Sequence, residues 1–103
     1  IPSHCELMRP AALKLKDHLD AITIKPPKIP ILHNYDIKPH EDADTIRKAL
    51  IEQLTLPVRW VETVREMERL GVTNIIECGP GKTLFGMIKW ITKKITPHSI
   101  NPV

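Results

Sequence analysis

The amino-acid sequence predicts an α/β fold, with helices packed on a parallel β-sheet that is incomplete in this chain. Two short apolar segments rich in β-branched residues, 29–33 and 72–78, are predicted strands. The predicted order is helix, strand, helix, helix, strand, helix, which is typical of parallel strands joined by helical connections. Buried parallel strands need neighbours on both sides, and two strands make too small a sheet. We therefore expect this chain to supply one part of a larger sheet.

The first predicted helix covers residues 6–21, where apolar residues recur at three- and four-residue spacing and form one apolar face. Ser3 followed by Glu6 fits a capping box, in which a hydroxyl and a carboxylate satisfy the free amides at a helix start. A proline-containing stretch at 25–28 then predicts a stiff turn or an extended linker before the first strand.

Two further helices are predicted in the middle of the chain. Asp42 or Asp44 can cap the first of them, because a short carboxylate side chain accepts hydrogen bonds from the exposed amides of a helix start. Pro57 interrupts the helical pattern, since proline has no amide hydrogen and clashes with the preceding turn. A new helix follows over residues 58–70 and ends at Gly71, which supplies the left-handed conformation of a helix end.

The last predicted helix covers residues 82–94 and follows a tight turn at 79–81. Residues 96–103 contain two prolines and are predicted to form a flexible tail. Residues 1–95 are therefore predicted to form one structured segment. The chain opens with isoleucine rather than methionine, and we expect a chain that starts partway through a larger protein.

Composition narrows the possible functions. The chain has 103 residues, of which 42% are hydrophobic and 26% charged, as expected for a single globular unit. A net charge of +3 with dispersed lysines and few aromatic residues argues against a nucleic-acid partner. No apolar stretch approaches the roughly 20 residues of a membrane span. Two cysteines give no disulfide framework, so a reducing cytoplasm is the expected location.

Two residues stand out as candidates for a site. His4 lies next to a predicted helix start, where it is either an ordinary surface histidine or a general base. Gln53 falls on the apolar face of the second helix. Its amide is then either hydrogen-bonded to a specific partner or placed at the edge of the core with its head in solvent.

Three other kinds of site are disfavoured. The segment E-C-G-P-G-K-T at 77–83 suggests a phosphate loop, but the Walker pattern requires glycine where this chain has Ile76, so a structural turn is favoured. The histidines and cysteines do not have metal-ligand spacing, and no metal is expected. Neither Ser3 nor Ser99 lies in G-x-S-x-G, so the chain lacks the turn that presents a serine nucleophile.

Three motifs, in order, resemble the malonyl-CoA:acyl carrier protein transacylase family. P-S-H-C-x-L-M at 2–8 is similar to the segment that carries the family's catalytic histidine. Q-L-x-x-P-V-x-W at 53–60 and E-x-G-P-G-K-x-L at 77–84 match two further family patterns. Asn34 and Asp36 match its asparagine-containing loop. The resemblance extends over nearly the whole chain.

The resemblance implies that residues 1–95 are the C-terminal segment of a large, α/β-hydrolase-like acyltransferase subdomain. His4 would be the general base that takes a proton from a serine, and the backbone carbonyl of Gln53 would orient it. Asn34 would contact the substrate. The serine and the arginine that pairs with the malonyl carboxylate would belong to the N-terminal part of the same enzyme.

The resemblance also implies the partners. Malonyl-CoA would be the substrate and acyl carrier protein the acceptor, with a serine-bound intermediate, no cofactor, and no nucleic-acid or membrane partner. The alternative is a nucleotide- or carrier-protein-binding module without catalysis. The isolated chain is expected to be unstable or prone to aggregation, because its strand edges lack partners.

Overall fold

Residues 3–101, the part of the chain that this computed structural model describes, contain four α-helices and two β-strands joined by loops. A short 3-10 turn precedes the first helix. The elements in chain order are the 3-10 turn Glu6–Met8, α1 Arg9–Asp20, α2 Ala43–Thr55, α3 Trp60–Arg69, β1 Asn74–Cys78, α4 Thr83–Ile91 and β2 Thr96–Ile100. They fall into two compact units, Ile1–Arg59 and Trp60–Val103. Within the described residues, no helix is long and apolar enough to cross a membrane.

In the first unit, α1 packs against α2 through small side chains. Ala12 on α1 and Ala49 on α2 are fully buried, which lets the two helix backbones approach closely. Arg47 on α2 contacts the C-terminal end of α1. Its guanidinium donates hydrogen bonds to the backbone oxygens of Leu19 at 3.0 Å and Ile22 at 2.8 Å, which lie where α1 ends. Carbonyls at a helix end lack helical partners, so these bonds stabilise both the helix end and the packing.

Of the two predicted N-terminal caps, the one before α2 is confirmed and the one before α1 is not. Asp42 is the N-cap of α2, as one of the two predicted alternatives, and its carboxylate accepts a hydrogen bond from the Thr45 amide at 3.0 Å. The predicted capping box at Ser3 and Glu6 was wrong. The Glu6 carboxylate instead accepts hydrogen bonds from the Arg9 guanidinium at 3.0 and 3.2 Å. A guanidinium offers two charged donors, and the carboxylate pairs with it in preference to a single backbone amide.

The predicted strand at 29–33 was also wrong. Only one isolated antiparallel bridge forms there, between Leu32 and Pro39. Pro30 and Pro39 have no amide hydrogens, so neither can donate to a ladder. Residues 29–39 therefore form a loop that the Leu32–Pro39 bridge closes, and not a parallel strand.

In the second unit, a parallel pair of strands packs with helices around one core. β1 and β2 run in register from Asn74 opposite Thr96 to Cys78 opposite Ile100, and α4 connects them. The core consists of buried apolar side chains from α3, α4 and the segment before β2, namely Val64, Ile88 and Ile95. This arrangement of helices with a two-stranded parallel sheet confirms the predicted α/β class.

The C-terminal residues correct one prediction. Residues 96–100 were predicted to belong to a flexible tail, but they form β2. Pro97 is compatible with this strand because β2 pairs only with β1 among the described residues, which leaves one of its edges without a partner. Residues 102 and 103 of the predicted tail lie outside the described residues. The assignment of residues 1–95 to a single subdomain stays a prediction.

Candidate functional site

His4 has an uncommon backbone conformation. Its φ angle is +58°, in the left-handed region that non-glycine residues rarely adopt, and it lies just before the 3-10 turn Glu6–Met8. Such a conformation costs free energy and persists only where surrounding contacts hold it, often at functional sites. The side chain is half-buried rather than fully exposed to solvent.

The imidazole of His4 contacts the main chain of α2. Its Nδ1 lies 2.8 Å from the backbone oxygen of Gln53, which is 49 residues further along the chain. A carbonyl oxygen can only accept, so Nδ1 carries the hydrogen and donates it. In the neutral ring, Nε2 therefore keeps a free lone pair. The contact fixes both the tautomer and the ring orientation and leaves Nε2 able to take a proton.

The backbone oxygen of Gln53 is available because of where α2 ends. The last four carbonyls of an α-helix have no helical donor, and Gln53 lies in the last turn of Ala43–Thr55. The amide four residues further on would be its helical partner, but that position is Pro57. The residue pattern predicted a role for the side-chain amide of Gln53, whereas the observed bond to His4 uses the main-chain oxygen, as the family resemblance implied. The spacing between Gln53 and Pro57 is the sequence signal for this free carbonyl.

Asn34 lies in a tightly bonded loop of the same unit. Its backbone oxygen accepts a hydrogen bond from the Arg59 amide at 2.9 Å. Its side-chain oxygen is buried, with no hydrogen-bond partner among the described residues. The hydrogen bonds of the described residues do not link Asn34 to His4. The role of Asn34 in substrate binding therefore stays a prediction.

Three ionisable side chains are grouped around that loop. The Asp36 carboxylate lies 2.7 Å from Nε2 of His40, and the ring centroids of His33 and His40 are 5.1 Å apart. Burial, helped by the nearby His40, lowers the pKa of His33 below its ordinary value, while Asp36 partly opposes this shift. The loop thus holds His33 preferentially in its neutral form.

The turn before α4 is occupied by an internal carboxylate. Glu77, at the end of β1, accepts hydrogen bonds from the backbone amides of Leu84 at 3.3 Å and Phe85 at 3.0 Å. These amides are among those that a phosphate would use, and the carboxylate would repel it. The favoured interpretation of 77–83 as a structural turn agrees with this geometry. Within residues 3–101, no group of three or more His, Cys, Asp or Glu side chains is arranged to hold a metal ion.

The sequence is similar to curated transacylases over nearly its full length. It is 44% identical over 101 residues to the malonyl CoA-acyl carrier protein transacylase of Escherichia coli K12, which covers 98% of this chain. It is 46% identical over 103 residues to the protein of that name from Haemophilus influenzae, which covers 100%. The chain spans 33% of the length of each relative. No protein-family model matches the chain.

Solved structures show the same similarity in three dimensions. An acyl carrier protein S-malonyltransferase from Vibrio cholerae superposes with a TM-score of 0.93 at 44% identity, covering 100% of this chain and 34% of that protein. A malonyl-transacylase solved in complex with a type II PKS acyl-carrier protein gives a TM-score of 0.94 at 42% identity, covering 100% and 33%. By sequence and by fold, this chain is similar to a segment of about one third of the length of malonyl CoA-acyl carrier protein transacylases.

Proposed function

We propose that this chain is the histidine-bearing part of an enzyme that transfers a malonyl group from CoA to acyl carrier protein. The main observation in support is the 2.8 Å contact between Nδ1 of His4 and the backbone oxygen of Gln53. It leaves Nε2 as the free basic atom of a half-buried ring. The similarity to transacylases supports malonyl-CoA as the substrate and acyl carrier protein as the acceptor.

In the first half-reaction, Nε2 of His4 accepts the proton of a serine hydroxyl that lies outside this chain. The serine oxygen attacks the thioester carbonyl of malonyl-CoA, and the carbon–sulfur bond of the resulting tetrahedral species breaks. The departing CoA thiolate takes the proton back from the imidazolium. The products are free CoA and a malonyl ester on the serine, and the imidazole is neutral again.

In the second half-reaction, His4 takes the proton of the pantetheine thiol of acyl carrier protein. The sulfur attacks the malonyl ester, the serine oxygen leaves, and the imidazolium returns the proton to it. A backbone carbonyl suits this repeated exchange because it holds Nδ1–H without itself being able to take the proton. The ring orientation is therefore the same in both half-reactions.

The proposal can be tested in a chimera, in which these 103 residues replace the corresponding third of the Escherichia coli relative. The rate of enzyme malonylation is measured with labelled malonyl-CoA under single-turnover conditions. His4→Ala should lower this rate by about 10²–10⁴-fold, the usual contribution of a general base. Gln53→Ala should change it by only a small factor, because the backbone carbonyl remains.

His18→Ala is the matched control, since His18 is an exposed histidine in the last turn of α1. It should leave the rate unchanged. A His4→Ala chimera that is folded and malonylates within a few-fold of its parent would remove His4 from the mechanism. A loss in Gln53→Ala as large as that in His4→Ala would assign the role to the amide side chain instead of the carbonyl.

A further inference from the structure

The end of α2 combines a proline with the carbonyl that His4 uses. The last helical hydrogen bond of α2 runs from the Leu56 amide to the Glu52 oxygen, at 3.0 Å. The next bond in the series would join the amide of residue 57 to the oxygen of Gln53. Position 57 is proline, which has no amide hydrogen. Gln53 is thus the first residue at the helix end whose oxygen has lost its helical donor.

Pro57 also fixes the backbone around it. The ring of a proline disfavours the helical conformation of the preceding residue, and Leu56 is extended, with φ −108° and ψ 152°. The helix therefore stops in a defined place. The oxygen of Gln53 receives its hydrogen bond from Nδ1 of His4 instead, at 2.8 Å.

We propose that Pro57 is a positioning residue for the general base: its missing amide hydrogen reserves the Gln53 oxygen for His4. An ordinary residue at 57 would allow α2 to extend by one hydrogen bond, and its amide would compete with His4 for the same acceptor. The ring of His4 would then lose the contact that fixes its tautomer. This inference rests on the proposed function, because it assigns Pro57 a role through His4.

Two replacements in the chimera separate the missing donor from the other properties of proline. Pro57→Ala introduces an amide hydrogen at 57. The α-hydroxy acid analogue of alanine at the same position has the same methyl side chain but an ester oxygen in place of the N–H, so it cannot donate. The two proteins differ at one backbone atom and its hydrogen.

The Pro57→Ala protein should malonylate about 10-fold more slowly, as expected when a partner that orients a functional histidine is lost. Its KM for malonyl-CoA should stay the same, and its thermal unfolding temperature should not fall, because the helix gains a bond. The ester analogue should be within about twofold of the parent rate. A purely structural role of Pro57 would instead lower stability and rate together.

Pro10→Ala is the control, because Pro10 lies in the first turn of α1, where the missing amide hydrogen removes no helical bond. It should leave the malonylation rate unchanged. A Pro57→Ala protein at the full parent rate would overturn the inference, and so would equal losses in the alanine and ester proteins. Failure of the proposed function would give a different result from failure of this inference. In that case the His4→Ala chimera would be as active as the unsubstituted chimera.

Discussion

The carboxylate of Glu77 accepts a hydrogen bond from the backbone amide of Phe85 at 3.0 Å, across the turn between β1 and α4. A second bond from the Leu84 amide, at 3.3 Å, completes the contact. Free amides and the positive end of the helix dipole make a helix start attractive to anions. Here the last residue but one of β1 provides that anion and ties the strand to the helix that follows it.

Glu77→Gln should loosen the start of α4, because a neutral amide oxygen forms weaker hydrogen bonds than a carboxylate and does not interact with the helix dipole. We expect a loss of about 1 kcal/mol in the local free energy of opening. Hydrogen exchange at the Leu84 and Phe85 amides measures it directly. Glu41→Gln, an exposed loop position in the other unit, is the control. Unchanged protection at both amides would show that the bonds to Glu77 do not stabilise the start of α4.

Alanine substitutions at two glycines should change the free energy of unfolding in opposite directions. Gly71 ends α3 with φ +85°, and its amide bonds the Glu68 oxygen at 3.0 Å, so Gly71→Ala should cost about 1 kcal/mol of stability. Gly86 lies inside α4, and an added Cβ would meet nothing within 4 Å. Gly86→Ala should therefore stabilise the helix by about 0.5–1 kcal/mol. Chemical unfolding of the two chimeras, followed in parallel, checks the signs, and a shared sign would contradict the explanation.

Stability should fall as the pH drops through the range in which His33 takes up a proton. Burial and the neighbouring His40 lower the pKa of His33 in the folded chain below its ordinary value of 6.5, with Asp36 acting in the opposite sense. The unfolded chain therefore binds more protons than the folded chain in this range. The stabilising contribution is present above pH 6.5 and is lost as the pH falls through the lowered pKa.

His33→Gln removes this titration and should flatten the decline in unfolding free energy between pH 7.5 and pH 5. His18→Gln, at an exposed position on α1, is the control for replacing any histidine by glutamine, and it should leave the slope of unfolding free energy against pH unchanged. Denaturant unfolding at a series of pH values provides the measurement. Equal slopes for His33→Gln and the parent would exclude His33 as the source.

The helices could largely be predicted from the sequence because their signals are local. Asp42 or Asp44 was predicted to cap α2, and Asp42 does so. α2 ends at Thr55, two residues before Pro57, and α3 ends at Arg69, two residues before Gly71. The first strand prediction failed because the apolar pattern at 29–33 does not reveal whether a neighbouring strand exists. β2 was missed because Pro97 disfavours a strand in the local pattern. The pairing with β1 that stabilises β2 involves residues about 22 positions earlier in the chain, which a local pattern does not show.

The candidate site was predictable only in part. His4 and Gln53 were identified through residue types and family resemblance, and the structure places them in contact. The atom that makes the contact followed from the resemblance, because a side-chain pattern carries no information about a main-chain oxygen. The spacing from Gln53 to Pro57 does carry it, since a proline four residues after a helical position leaves that carbonyl without its donor.

The most direct test is the protonation of the two ring nitrogens of His4, measured by ¹⁵N NMR on the histidine-labelled chimera at a pH where the ring is neutral. The hydrogen should reside on Nδ1, with a through-bond coupling to the carbonyl carbon of Gln53, and Nε2 should be unprotonated. A hydrogen on Nε2, or no coupling to Gln53, would contradict the claim that this carbonyl prepares His4 as a base.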